Sequence, residues 1–313
     1  MYYFRGKRSK VKELKRKKIA SKYKAILYII LSAFCFAFMN LFVRLSGDLP
    51  SMQKSFFRNF VAVFFALIII LKNKSGFMWK KGNFKFLFLR AFVGSLGIVC
   101  NFYAIDNIPL ANASILNKMS PFFVIIFSLL FLREKLSFLQ GTAVFAAFIG
   151  TLFIIKPSFQ NVDLMPSAIG LAGGMCAGFA YTMVRILGTR KENGSLIVFY
   201  FSAFSCISML PFLIFDYHPM EWQQLVMLIC AGLSATGGQF SITAAYCHAP
   251  AREISVYDYS QIIFATLLGF LFLGELPDIY SFIGYIIICS MSVLMFLYNN
   301  KKWFFAEKKK NTR

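Results

Sequence analysis

The sequence predicts an all-α integral membrane protein whose ten transmembrane helices form two inverted five-helix repeats. Three observations carry that expectation: a composition too apolar for water, ten apolar windows of spanning length, and a self-match of the chain at an offset of about 141 residues. Hydrophobic residues make up 58% of the 313 residues and charged residues only 15%, against about 25% charged in soluble domains. Such a chain could not cover itself for water. The balance argues against a soluble enzyme, a secreted disulfide scaffold and a nucleic-acid binder.

A helix needs about 20 mostly apolar residues to cross a hydrocarbon core of ~30 Å. Ten windows meet that standard: 25–46, 54–71, 84–105, 110–132, 137–156, 166–187, 195–215, 222–247, 251–273 and 279–298. The connectors are short, so no soluble domain is expected between them. The first window is too long for a signal-peptide core and lacks a small-residue cleavage site, so it stays as the first helix. The seven Cys fall inside apolar stretches without CxxC or zinc spacing. They are expected to pack as small hydrophobes, with no disulfide, metal or cofactor.

Lys and Arg collect in loops that stay in the cytoplasm. With the N-terminus inside, 27 of the 34 basic residues fall on the inner side, among them 11 in residues 1–24 and 6 in the tail from Lys301. The opposite loops hold only Lys54 and Lys156, with seven acids. Both termini are therefore expected in the cytoplasm of a plasma membrane, the short loops suiting a bacterial inner membrane. The net charge of +21 follows from topology and attraction to anionic headgroups, with no nucleic-acid partner implied.

Sliding the chain by 141 residues brings Arg44 onto Arg185, Gly97 onto Gly238, Pro109 onto Pro250, Ser114 onto Ser255 and Glu134 onto Glu275. Five spans per copy is an odd number, so the second copy must enter the membrane inverted. The expected organisation is a basic segment 1–24, repeats over 25–156 and 166–298, and a basic tail 299–313. Inverted repeats of this kind mark secondary transporters, with the solute site near the midplane between the copies.

A helix opened by Pro109, running Ser114 to Pro121 and closed by Leu132-Arg133-Glu134-Lys135-Leu136, resembles the EamA-type family of the drug/metabolite transporter superfamily. The second copy repeats the pattern as Pro250, Ser255 and Leu273-Gly274-Glu275-Leu276. The resemblance covers residues 25–298 and implies a ten-helix carrier of a small organic solute. Members carry amino acids, nucleotide-like metabolites, S-adenosylmethionine or drugs, so the family leaves the substrate open.

Charges inside a span cost at least ~2.5–3.5 kcal/mol on insertion scales and are usually functional. Lys118 and Asp258 are deep, at ~12 and ~10 Å from their helix ends at 1.5 Å per residue. The offset superposes Asn117-Lys118 on Asp258-Tyr259. They either form a buried ion pair between the fourth and ninth helices or face a watered cavity with a solute between them. In the second case Lys118 receives a carboxylate or phosphate, and Asp258 an amine or a coupling proton. Arg44, Arg58, Arg90 and Arg185 lie nearer the helix ends and are expected to snorkel to headgroups.

Ser114, Asn117, Lys118 and Pro121 share one α-helical face, as do Ser255, Asp258 and Tyr259, with Tyr257 on the face beside them. Asn40, Asn101, Tyr103, Tyr181 and Gln239 are further polar groups within spans, suited to a cavity wall or to packing between helices. Gly170, Gly174 and Gly178 make two GxxxG steps for close helix contact. Pro121 and Pro211 each remove a ladder bond and favour a kink. Gly237-Gly238 suggests a local break in the eighth helix.

The expected function is secondary transport of an amino-acid-like, or other zwitterionic or aromatic, solute by alternating access. A nucleoside- or S-adenosylmethionine-like cargo is the alternative on the same fold. No GxxxxGK[ST] motif is present, so energy would come from gradients or exchange. A membrane enzyme acting on lipid would need clustered acids, His or metal ligands, and this chain offers one deep acid. The sequence leaves the oligomeric state open.

Overall fold

The computed structural model describes residues 2–74, 76–108, 115–155, 164–274 and 276–311. All regular structure among them is helical, as a bilayer core demands, because each helix pairs its own backbone groups. In chain order the helices are α1 (Tyr2–Leu45), α2 (Ser51–Lys72), α3 (Phe84–Asn107), α4 (Ile115–Leu132), α5 (Phe138–Ile155), α6 (Leu164–Thr189), α7 (Gly194–Phe215), α8 (Trp222–His248), α9 (Ala251–Leu273) and α10 (Ile279–Asn311). Nine contain an apolar stretch of at least 18 residues, and α5 is shorter, with Phe138–Ile154 apolar. Large apolar side chains such as Phe64, Phe92, Phe131, Phe145 and Phe282 stand exposed along the helices, where lipid would cover them.

The main packing pairs are α1 with α8, α3 with α6, α2 with α7 and α5 with α10, followed by α2 with α8, α4 with α6, α1 with α9 and α3 with α7. Exchanging α1–α5 for α6–α10 maps this set of pairs onto itself. Each half therefore packs chiefly against the other half, and the interface between them is the core of the molecule. Two helix ends carry the same duplication at backbone level. Arg133, after α4, is left-handed at φ 52° and its N–H donates to the Ser128 carbonyl. Its counterpart Gly274, after α9, has φ 68° and donates to Gly269.

α4 and α9 are interrupted where the other spans are continuous. α4 is helical at Ile115–Asn117, loosens to a turn at Lys118-Met119 and resumes at Ser120. Pro121 sits in the first turn of the resumed helix and has no N–H to return to the Asn117 carbonyl, so the expected kink takes the form of a break just before it. α9 is helical at Ala251–Ile254, 3-10 at Ser255–Tyr259 and helical again at Ser260–Leu273. Pro211, by contrast, lies inside a helix that runs on to Phe215. The break expected at Gly237-Gly238 is absent, since α8 runs unbroken through both glycines. Their missing side chains admit Cys35 and Phe36 of α1 instead, and Ser32 donates to the Gly238 carbonyl at 3.0 Å.

Gly170, Gly174 and Gly178 put α6 in backbone contact with α3 and α4. A Cβ on Gly170 would meet Ala104 and Leu116, one on Gly174 would strike the Leu116 carbonyl, and one on Gly178 would lie 2.5 Å from the Phe123 Cβ and 2.8 Å from the Val124 nitrogen. Gly178→Ala should therefore lower the thermal unfolding midpoint of the purified protein, at a cost of about 1–3 kcal/mol for overpacking. Gly141→Ala, whose Cβ would find nothing nearer than Leu136 at 3.5 Å, should leave it unchanged.

Candidate functional site

The interruptions in α4 and α9 meet at the centre of the interface. In a regular helix the Lys118 carbonyl would accept from Phe122, but that N–H goes to Met119 at 3.0 Å. The freed oxygen accepts from the Tyr259 hydroxyl at 3.3 Å. Tyr259 is the repeat counterpart of Lys118, so the two halves touch through equivalent residues and the pseudo-two-fold axis passes between them. Around that axis the Lys118 ammonium lies 3.4 Å from Asp258 Oδ2 and 2.6 Å from Gln261 Oε1. Lys118 and Asp258 are both buried. Of the two arrangements the sequence allowed, this conformation holds the direct ion pair.

A second group of buried polar side chains lies beside the pair. Arg90, on α3, is 3% exposed. Its guanidinium stacks on Phe201 of α7, 3.9 Å from the ring centre, lies 5.8 Å from the Tyr181 ring, and donates to Gln239 Oε1 of α8 at 3.3 Å. Tyr181 in turn stacks on Tyr246, centroids 5.4 Å apart. Arg58, on α2, is half-buried, with its Nε buried. Snorkelling therefore fails for Arg90. Arg90 is six residues inside α3, ~9 Å from its end, and turns inward onto an aromatic ring instead of out to headgroups. Arg185 does not snorkel either: it bonds Glu134 Oε1 at 3.0 Å and the Tyr246 carbonyl at 3.2 Å. Arg44 is exposed, as expected.

The structure gathers Lys118, Asp258, Tyr259, Tyr181 and Gln239 near the interface between the halves, with Ser255 and Tyr257 buried on the same segment of α9. The Ser255 and Tyr257 hydroxyls are buried without a hydrogen-bond partner, which is uncommon in a folded interior. Asn117 is half-buried, its carbonyl near Gly174. Asn101 is half-buried with its backbone against Gly173. Asn40 and Tyr103 are exposed. Ser114, like Pro109 and Glu275, lies outside the described residues.

Gln261, Arg90, Phe201 and Tyr246 are the members that the sequence did not single out as site residues. Gln261 follows Asp258 by three residues, as Asp258 follows Ser255. That spacing shares a face in either helix type, but a face drawn from Ser255 at three, four and seven residues takes Asp258, Tyr259 and Ile262 and passes over Gln261.

Contacts between the halves also run at both ends of the bundle. At one end Gln53 and the His218 backbone exchange two bonds at 2.9 and 3.0 Å, and Gln224 donates to the Ser46 carbonyl at 3.1 Å. At the other, Glu192 Oε2 accepts from Asn83 at 2.6 Å and from the Lys80 backbone at 3.0 Å.

The sequence model of the EamA-like transporter family matches residues 23–156 and again 165–297. The chain belongs to the EamA-like transporter family. This EamA-like transporter is 34% identical over 265 residues to the pseudopaline exporter CntI of Pseudomonas aeruginosa PAO1, covering 84% of this chain and 92% of that one. It is 26% identical over 299 residues to solute carrier family 35 member G1 of Homo sapiens, covering 90% and 80%. A solved crystal structure at 13% identity superposes with a TM-score of 0.78 over 90% of this chain and 99% of that chain, which shows the shared fold. The relatives are transporters of the drug/metabolite superfamily.

Removing one partner of a buried ion pair strands the other charge and costs about 3–5 kcal/mol, while replacing both with apolar groups is often neutral. Asp258→Leu alone should lower the unfolding midpoint of this transporter sharply, and Lys118→Met with Asp258→Leu should restore most of the loss. A double variant as unstable as the single one would show that the pair does not act as a unit.

Proposed function

We propose that this EamA-like transporter is a secondary carrier of an amino-acid-like, or otherwise zwitterionic or aromatic, organic solute. It works by alternating access, with residues 25–156 and 166–298 as the two moving halves. One observation carries the reading above all: the only two interrupted spans among the described residues occupy equivalent places in the two halves and meet at a buried Lys118–Asp258–Gln261 cluster. Secondary transporters place discontinuous helices at the midplane, where freed backbone groups and charged side chains contact the solute.

In the state described, Lys118 and Asp258 satisfy one another. Solute entry would separate them, its anionic group replacing Asp258 beside Lys118 and its amine replacing Lys118 beside Asp258. The exchange keeps both charges paired throughout, so little desolvation energy is lost at any point. Opening one end requires the Gln53–His218 and Gln224–Ser46 bonds to break, and opening the other requires release of Glu192 from Asn83 and of Glu134 from Arg185.

The protein is assigned to the plasma membrane with both termini in the cytoplasm, on the 27-to-2 division of basic residues between the loops of the two faces. The similarity to the pseudopaline exporter of Pseudomonas aeruginosa favours outward movement. The partners are the solute and the bilayer.

Two measurements test the proposal. Proteoliposomes carrying the full chain should accumulate label from a mixture of labelled amino acids, and Lys118→Ala should abolish accumulation while the protein still elutes as a folded species. Undiminished uptake by Lys118→Ala would remove the lysine from the site. If Asp258 couples protons, an imposed pH gradient should accelerate flux in the parent and not in Asp258→Asn. Separately, reporters fused to the two ends should give the same cytoplasmic signal; opposite signals would overturn the assigned topology.

A further inference from the structure

We propose that Arg58 and Arg90 form an oxyanion-binding subsite, so that the solute carried here bears a carboxylate or phosphate and a net negative charge. The word solute rests on the transport function proposed above; the subsite itself rests on geometry. Arg90 is 3% exposed and turned inward. Its guanidinium face is occupied by Phe201 at 3.9 Å, and one edge donates to the neutral Gln239. Its Nε is buried without a partner, and so is the Nε of Arg58. Among the described residues no carboxylate is in ion-pair contact with either arginine, and Asp258 is engaged by Lys118.

Stacking and edge bonding use different parts of a guanidinium. An aromatic ring takes the face and fixes the plane, which leaves the in-plane N–H groups to grip an acceptor approaching from the edge. That fork matches the two oxygens of a carboxylate or phosphate. A guanidinium buried within a membrane bundle with an unmet N–H donor, as at Arg90, is costly unless something anionic neutralises it. Arg58, its own Nε buried and unpartnered, lies on α2, which packs against α3. Water could satisfy the N–H groups but would leave the charge unneutralised. Charge counting agrees: Asp258 is the one buried carboxylate among the described residues of this centre, beside the buried cations Lys118 and Arg90. A solute carrying net negative charge closes that imbalance, and a neutral or cationic one does not.

The pair lies on α2 and α3, in the first half, whereas Phe201, Tyr181 and Gln239 lie on α7, α6 and α8, in the second. An anion bound there would therefore touch both halves, and it would sense their relative movement. This also separates the subsite from Lys118–Asp258: one solute could place an oxyanion on the arginines and a second polar group on the α4–α9 cluster.

The test is equilibrium binding by the full-length protein in detergent at constant ionic strength, read as a shift in unfolding midpoint, since a ligand that prefers the folded state stabilises it by mass action. The probes are succinate, inorganic phosphate and putrescine. Succinate or phosphate at millimolar concentration should raise the midpoint by several degrees and putrescine should not; whichever anion acts identifies carboxylate or phosphate as the group recognised. Arg58→Gln and Arg90→Gln should each weaken the response at least tenfold in apparent affinity, and Arg90→Lys, which keeps the charge and loses the fork, should fall between.

If Arg58→Gln does not yield folded protein, Arg58→Lys takes its place with the intermediate response expected. No stabilisation by either anion, equal stabilisation by putrescine, or full stabilisation retained in Arg90→Gln would each overturn the proposal. Failure here is distinct from failure of the transport function. Proteoliposomes that move amino acids while the protein ignores both anions would remove only the subsite, whereas anion binding without any flux would remove the carrier and leave the subsite.

Discussion

A helix interrupted inside a bilayer must find protein partners for the backbone groups it frees, because lipid offers none. Everything central to this molecule depends on how that demand is met. Pro121 removes one donor from α4, the Lys118 carbonyl loses its helical partner, and the hydroxyl that replaces it comes from Tyr259 in the opposite half. The break in one half is therefore closed by the break in the other. Neither half could adopt its interrupted span alone without leaving polar backbone exposed to hydrocarbon, so the site and the interface form together.

The same contact explains why charge is tolerated there. With the chain already irregular, α4 and α9 present side chains that a continuous helix would have aimed elsewhere. Lys118 reaches both Asp258, in the 3-10 stretch, and Gln261, in the first turn of the helix that resumes at Ser260. The glycine face of α6 lets α4 come close enough for this to happen, since the Leu116 carbonyl rests where a larger residue at Gly174 would stand. Packing, backbone interruption and buried charge are consequences of one arrangement.

The sequence made the spans and the duplication legible because both are written in residue types that lipid constrains strongly: long apolar runs, and Pro, Glu and Arg recurring at one offset. Lys118 and Asp258 were legible for the same reason, being charges too deep to escape. Arg90 was not, because distance from a helix end says how far a side chain must travel to reach headgroups and nothing about which way it turns. Gln261 was passed over because a helical face drawn from Ser255 takes the residues three, four and seven beyond it, and Gln261 is six beyond. Asn40 and Tyr103 are polar groups within a span that are exposed in this conformation. The Gly237-Gly238 pair was misjudged because glycine serves close packing as readily as interruption, and Phe36 uses the space.

Duplication also bears on the energetics of the proposed movement. The halves are built from matching parts, down to the left-handed caps at Arg133 and Gly274 and the N–H bonds they send back to Ser128 and Gly269. Contacts between halves close both ends of the bundle through hydrogen bonds of similar kind, amide to backbone at Gln53 and carboxylate to amide at Glu192. Opening either end thus exchanges a few hydrogen bonds with water, each worth about 0.5–1.5 kcal/mol net, together with the Glu134–Arg185 ion pair at the Glu192 end. States that differ by so little are readily biased by a solute whose affinity differs between them by a few kcal/mol. A carrier needs that near-balance, because a deep preference for one state would slow the return step. An inverted repeat supplies it through symmetry, and a solute bridging residues of both halves is positioned to tip it.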